Sequence, residues 1–357
     1  MAEAAGASGE AVRSFPDGLK LGIYRSEESD EALALDRLCT QGASYRLSFR
    51  RPTFHRRAEA YDEWRIVTAR LDGSLVGLAA AAIKRVECRG EETVAAFYFD
   101  LRVHPAFRGR AVGRRLGAEI RGWARARSAL GYTYGMAGNR SAGGLLRLAG
   151  AVDVGGFAYL VYPVYRQRSP APDVAAAAFE EVHQAMKQVA GPFDLYARPT
   201  VGGRESGYVG SWLLRRGPEL AGCSAWCHAG VLAEVVEAVP TAIRLAKRLT
   251  ATWPLRLARW PHFPSPGERL RSWYLFDWFS TDPALARVLM RHVAAQAGER
   301  GVDYCHVVHG SRDRWIRQLR SDVLHIFAPV LTYRLWAELP ERLSGPLDHV
   351  YVDVHDL

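Results

Sequence analysis

Lysine is scarce in this chain. Only Lys20, Lys84, Lys187 and Lys247 occur among 357 residues, so nearly all of the 47 basic side chains behind the net charge of +9 are arginine. A surplus of scattered arginine fits a GC-rich coding bias better than a polyanion-binding face, and nucleic acid is not an expected partner. Only the stretch from Arg108 to Arg127 is dense in them. Cysteine is sparse too. Cys39, Cys88, Cys223, Cys227 and Cys305 are odd in number and widely spaced, which excludes a disulfide framework and fits a reducing, cytoplasmic setting. No apolar run approaches the roughly 20 residues of a spanning helix, so no membrane association is expected. Residues 1–17 lack the apolar core of a secretory signal and read as a disordered leader. No Gly-Lys-Ser/Thr follows a glycine-rich turn, which excludes a Walker loop. Cys223-x-x-x-Cys227-His228 has neither the spacing nor the partner pair of a zinc knuckle, so it reads as buried strand cysteine and no metal is expected.

What is present is ordinary globular material, 48% hydrophobic and 24% charged, in a chain long enough for two domains. Residues 19–25 alternate as a strand, and 27–39 follow with helical spacing of Ala32, Leu35 and Leu38. A polar connection (41–64) leads to two apolar runs around Asp72-Gly73, a strong hairpin signal because both turn positions need positive φ. A third run, Val94 to Val103, completes an antiparallel meander. The period then changes, and residues 113–130 set Leu116, Ile120, Trp123 and Ala124 along one helical face.

Between that third strand and that helix lies His104-Pro105-Ala106-Phe107-Arg108-Gly109-Arg110-Ala111-Val112-Gly113-Arg114. A strand end, a basic glycine-containing turn and a helix start make an anion site. Unpaired amides point outward there, the helix dipole favours negative charge, and small residues let a phosphate approach the backbone. The chemistry indicated is a pyrophosphate-binding turn.

These residues resemble the GNAT superfamily of acyl-CoA N-acyltransferases. Its hallmark is a strand ending Leu-x-Val-x-Pro followed by Arg/Gln-x-x-Gly-x-Gly/Ala. Here Leu101-Arg102-Val103-His104-Pro105 precedes Arg108-x-x-Ala111-x-Gly113, with alanine for the middle glycine. The resemblance implies that amides of Arg108, Gly109, Arg110, Ala111, Val112, Gly113 and Arg114 hold the pyrophosphate of acetyl-CoA or another acyl-CoA. It further implies that Leu101 and Val103 bond the pantetheine arm through their main chain. Asn139, in a segment like the family's Asn-x-x-Ala-x-x-Leu-Tyr, would touch pantetheine or order the splayed strands. Leu146 stands where many members carry a proton-donating tyrosine, and Phe99 where many carry glutamate. Asp100, a carboxylate in an otherwise apolar strand, becomes the candidate base, and Tyr98 the weaker candidate acid.

The second half repeats the element order of the first. Residues 152–165 read as a β-rich close to the first domain, and 166–172 as a linker. Residues 173–189 read as an alanine-rich helix, 207–215 and 221–229 as strands, and 232–251 as a long amphipathic helix. A strand (273–281), a helix (283–298), a strand (302–308), a short helix (312–319) and strand structure over 324–336 follow. Ser280-Thr281-Asp282-Pro283 replaces the basic turn, and a carboxylate there would repel phosphate. The expected fold is therefore α+β, two tandem GNAT-like domains (18–165 and 173–357) built on mixed, mostly antiparallel sheet, the second degenerate and walling off the acceptor pocket. Over its whole length the chain is similar, more weakly, to the Hookless-type N-acetyltransferases of plants, through Val161-Tyr162-Pro163-Val164-Tyr165, Gly210-Ser211-Trp212 and Tyr351-Val352-Asp353. The function implied is acyl transfer, with acetyl-CoA as co-substrate and a small-molecule or peptide amine as acceptor. The alternative is a non-catalytic CoA-binding regulatory or scaffold protein.

Overall fold

The computed structural model describes residues 18–42, 45–165, 170–199, 207–252, 260–309, 316–321, 330–347 and 349–356. The expected leader, 166–169 of the expected linker and 324–329 of the last expected strand region lie outside them. The first half runs β1 (Lys20–Ile23), α1 (Ser29–Leu38), β2 (Arg46–Arg50), β3 (Glu63–Leu71), β4 (Ser74–Cys88), β5 (Glu91–Val103), α2 (Val112–Arg125), β6 (Leu130–Met136), α3 (Arg140–Leu148) and β7 (Val152–Pro163). The second runs β8 (Val174–Ala177), α4 (Phe179–Ala190), β9 (Tyr208–Arg216), β10 (Glu219–Trp226), β11 (Ala233–Ala238), α5 (Thr241–Thr250), β12 (Ser272–Ser280), α6 (Pro283–Glu299), β13 (Tyr304–His309), α7 (Ile316–Ser321) and β14 (Val330–Glu338).

Local chemistry explains the meander. Asp72 and Gly73 take φ of 48° and 81°, the pair of positive values that joins β3 to β4. On α2, Leu116, Ile120, Trp123 and Ala124 are buried and pack on Val67, Ala69, Val76, Ala79 and Ala81 of β3 and β4. Helix and sheet meet most closely at Gly77, where an added Cβ would lie 2.8 Å from Leu116 Cδ1 and 3.1 Å from the Arg102 carbonyl oxygen.

Among the described residues twelve strands form one mixed sheet in the order β1-β3-β4-β5-β6-β14-β7-β13-β12-β10-β9-β8. The pairs β5·β6 and β12·β13 are parallel, and each is bridged by the helix between them, α2 or α6. The centre is made by exchange. β14 pairs with β6 and β7, while β7 pairs with β13 and β14. The strand closing the first half in sequence therefore has both its sheet neighbours in the second half. One strand from each half, β2 and β11, forms a second, two-stranded sheet.

Two expected helices are corrected. Residues 232–251 divide into β11 and α5, because Pro240 has no N–H for a helix interior and biases residue 239 towards an extended backbone, and Val235 and Val236 favour strand. Residues 173–189 begin as β8, paired with β9 at the sheet edge, before α4 starts at Phe179. Pairing there overrides the helix propensity of alanine. The polar connection of 41–64 likewise contains β2 and a 3-10 helix, Phe54–Ala60.

The two halves repeat one irregularity. In β5 the register with β4 shifts between Phe99 and Arg102, with Asp100 at φ 51°; in β12 the register with β10 shifts between Phe276 and Phe279, with Asp277 at φ 49°. Each shift is a β-bulge carrying an aspartate in the left-handed region.

Candidate acyl-CoA site

The turn after β5 starts with a 3-10 helix, Pro105–Phe107, whose Ala106 amide donates to His104 Nδ1 at 3.2 Å. Gly109 (φ 75°) and Ala111 (φ 58°) then turn through the left-handed region, and Ala111 is the N-cap of α2. Among the described residues no side chain caps this helix. The amides of Val112 and Gly113, at its start, have no intrahelical acceptor and face outward as an anion would need. The matching position of the second half differs: the Asp282 carboxylate accepts from the Ala284 amide at 2.9 Å and caps α6. Alanine at position 111 carries the left-handed strain that glycine avoids. Ala111→Gly is expected to raise stability by about 1 kcal/mol with unchanged ligand affinity. Calorimetric melting checks this, and a lower melting temperature would refute the strain argument.

A wedge lies beside the turn. β5 and β6 pair only through Ala95–Leu130, Ala96–Gly131 and Phe97–Tyr132, although both strands continue. The bulge then inverts the alternation of β5. Phe99 and Asp100 both meet the α1 side, while Val103 packs on the α2 side with Tyr98. Leu101, at the bulge, is 38% exposed. A Cβ built on Gly113 would lie 3.5 Å from Val103 Cγ2 and 3.7 Å from Leu145 Cδ2, ordinary contact distances. Gly113 thus sits between the end of β5 and α3 without being required there by packing.

Asp100 has a different environment from that of a free base. It is buried, with Arg51 Nη1 at 2.6 Å, Arg102 Nη2 at 3.3 Å and Arg57 Nη1 at 3.5 Å. Asp36 completes the cluster through Arg51 (2.8 Å) and Arg102 (2.6 Å). Burial alone would raise the Asp100 carboxyl, but Arg51, Arg102 and Arg57 outweigh it and hold the group well below the usual carboxylate range. Such a carboxylate accepts protons poorly and suits a fixed anion that pins the bulge. Tyr98, the candidate acid, lies on the other face of β5, against Gly131. Burial pushes its phenol up to about 12, so it stays protonated. The structure does not bring the two catalytic candidates together. Asn139 uses its side chain to start α3, accepting from the Ala142 amide at 3.1 Å.

A second cluster escaped the sequence reading. Lys84 of β4 is buried, with Nζ 2.7 Å from Asp353 Oδ2 and 2.9 Å from Asp356 Oδ1. Tyr61 (2.8 Å) and Tyr132 (2.7 Å) donate to Asp356, and Arg57 reaches its carbonyl at 2.6 Å. Arg57 therefore joins this cluster to that of Asp100. On the second half, Asp277 accepts from Tyr351 (2.6 Å) and meets His183 Nδ1 (2.7 Å). The available signal was Lys84 itself, a lysine after the apolar run Leu78–Ile83 with no acid beside it in sequence. Its partners lie about 270 residues away, beyond any local pattern. Among the described residues no group of three or more His, Cys, Asp or Glu could hold a metal ion, and no helix is long and apolar enough to cross a membrane.

Residues 33–150 match the model of the acetyltransferase (GNAT) family. A comparison with curated proteins finds no match. Among solved structures, an N-myristoyltransferase of Saccharomyces cerevisiae with bound myristoyl-CoA is similar over 94% of this chain and 90% of its own, at TM-score 0.55 and 10% identity. Another structure of that enzyme, with myristoyl-CoA and inhibitors, gives 95%, 87%, 0.59 and 11%. A GCN5-related N-acetyltransferase from Sphaerobacter thermophilus is similar over 96% of this chain and 99% of its own, at TM-score 0.50 and 14% identity. At these identities the likenesses establish the fold, over nearly the whole chain.

Proposed function

We propose that this chain, whose residues 33–150 form an acetyltransferase (GNAT) family domain, is an N-acyltransferase that uses acetyl-CoA and a small-molecule or peptide amine. One observation carries the reading: the uncapped start of α2, reached through left-handed Gly109 and Ala111, lies beside the wedge between β5 and β6. In this reading the amides from Arg108 to Arg114 bind the pyrophosphate, and the main chain of Leu101 and Val103 holds the pantetheine arm. Amides at the bulge polarise the thioester carbonyl as charge develops on its oxygen. The amine attacks directly, a C–N bond forms as the C–S bond breaks, and the amine's proton leaves to solvent or a neighbouring base. No enzyme-bound acyl group is needed for this direct route.

Asp100 enters as a positioning residue that holds the bulge. Asp100→Asn is expected to lower the melting temperature while acetyl-CoA affinity stays within about twofold, because the change leaves buried guanidiniums under-compensated. A hundredfold fall in turnover at unchanged melting temperature would restore its role as base. The reading as a whole is tested by titrating the protein with acetyl-CoA in a calorimeter and then following free-thiol release over a panel of amines. Micromolar binding with release on any amine supports it. Binding without release across a broad panel favours a CoA-binding regulatory protein, and absent binding overturns the site.

A further inference from the structure

One helix turns its larger apolar side chains outward. Among the described residues α5 (Thr241–Thr250) buries none of its side chains, whereas each other α-helix of eight or more residues buries at least one. A surface helix sets leucine towards the core and arginine towards water. In α5 the half-buried positions are Ile243, Ala246, Lys247 and Thr250, while Leu245 is 55% and Leu249 51% exposed. Ile243 packs with Val236, Val239 and Leu270 beside the β2–β11 sheet. Lys247 bonds Ser265 and meets the Glu268 carboxylate at 3.6 Å. These contacts fix the inward side of the helix.

The outward side is divided. At about 100° per residue, Ala242, Leu245 and Leu249 make one strip, and Arg244 and Arg248 make the strip beside it; all five are exposed. Arg244 donates to the Thr241 hydroxyl at 3.0 Å, and among the described residues neither arginine meets a carboxylate. No acid occurs in the sequence between Glu237 and Glu268. Those two are themselves engaged, Glu237 by Ser48 and Arg50, Glu268 by Lys247 and His262. The positive strip is left uncompensated beside an apolar one.

A fitting partner is anionic where it meets the arginines and apolar just beneath. A protein partner needs a complementary surface on the order of 800 Å² a side, far more than one face of a ten-residue helix offers. A lipid bilayer makes no demand of shape. Its acyl region takes leucine, and its phosphates meet arginine heads that reach back to headgroup level. We propose that α5 docks the protein on an anionic lipid bilayer, lying in the interface with Leu245 and Leu249 inserted and Arg244 and Arg248 on lipid phosphate. The sequence expectation of no membrane association concerned spanning segments, and an interfacial helix needs no apolar run of that length. Two leucines and two arginines make a weak, reversible contact that depends on anionic lipid.

The test is co-sedimentation of the full chain with large unilamellar vesicles of phosphatidylcholine alone or mixed equally with phosphatidylglycerol. The wild-type protein should bind the anionic vesicles at least about 10-fold more tightly, the worth of two arginines at such a surface. The net charge of +9 by itself attracts the chain to anionic vesicles, so the decisive variant leaves charge unchanged. Leu245→Ser combined with Leu249→Ser should weaken binding about 10-fold or more. The melting temperature should stay within about 2 °C of wild type, because both leucines are more than half exposed. Leu148→Ser, at a 77% exposed leucine of α3, should change nothing. Unchanged binding by the folded double variant overturns the proposal, as does equal binding to both vesicles or to neither. A wild-type dimer in size-exclusion chromatography that the double variant splits would assign the strip to a second copy of the chain and overturn the lipid partner.

Discussion

Replacing Gly113 with glutamate should abolish acetyl-CoA binding and leave the protein folded. Glycine is not required there by the chain's own packing, since a Cβ would meet only Val103 and Leu145 at 3.5 and 3.7 Å, and the residue is partly open. A carboxylate in the first turn of α2, at the positive end of the helix, would compete for the amides that a pyrophosphate needs and repel its charge. The expected loss of affinity is at least about 100-fold, on the order of 3 kcal/mol. Titration with acetyl-CoA reads the loss, and the melting curve confirms the fold. Gly113→Ala separates size from charge, because its methyl group fits the chain and any loss of affinity must arise at the ligand. Full binding by a folded Gly113→Glu protein would place the acyl-CoA elsewhere.

Lys84→Met should cost about 3–5 kcal/mol, the usual penalty for removing one partner of a buried ionic cluster. Its charge is what balances Asp353 and Asp356 beneath the first-half sheet. The melting temperature should fall on the order of 10 °C. Asp353→Asn added to Lys84→Met should recover part of that loss, since one uncompensated carboxylate is then gone. A melting temperature within about 2 °C of wild type in the single variant would show that the cluster does not hold residues 351–356 in place. The same carboxylates set the acid response. Burial would raise the Asp353 carboxyl, but Lys84 and His355 hold it well below the usual range, as the arginines do for Asp100. Depressed carboxylates contribute stability that is fully present above their unfolded values near ~4 and is lost as pH falls below that towards the folded values. The wild-type protein should therefore lose stability steeply below about pH 4. A flat stability profile between about pH 4 and 2 would contradict the ion clusters.

Much of this protein is decided by local sequence. Asp72-Gly73 sets the first hairpin, the period change after Val103 sets α2, and Arg108-x-x-Ala111-x-Gly113 between them sets the left-handed turn into that helix. Each is settled by residues a few positions apart, through backbone φ and side-chain period, so each is legible in one dimension. The repeat of the element order, and the aspartate-capped start of α6, belong to the same class.

The tertiary structure decided the rest. Whether Val174–Ala177 and Ala233–Ala238 become strands depends on β9 and β2 offering edges, and no helical period in the sequence carries that information. The exchange of β7 and β14 is a matter of which edge each strand finds after both halves have formed. Asp100 looked like a base because a lone carboxylate in an apolar strand needs a reason; the reason is three arginines, of which Arg51 and Arg57 are more than 40 residues away. Lys84 and Asp353 meet only when the sheet is complete. Charge compensation in a protein interior depends on distance in space, and sequence separation says little about it.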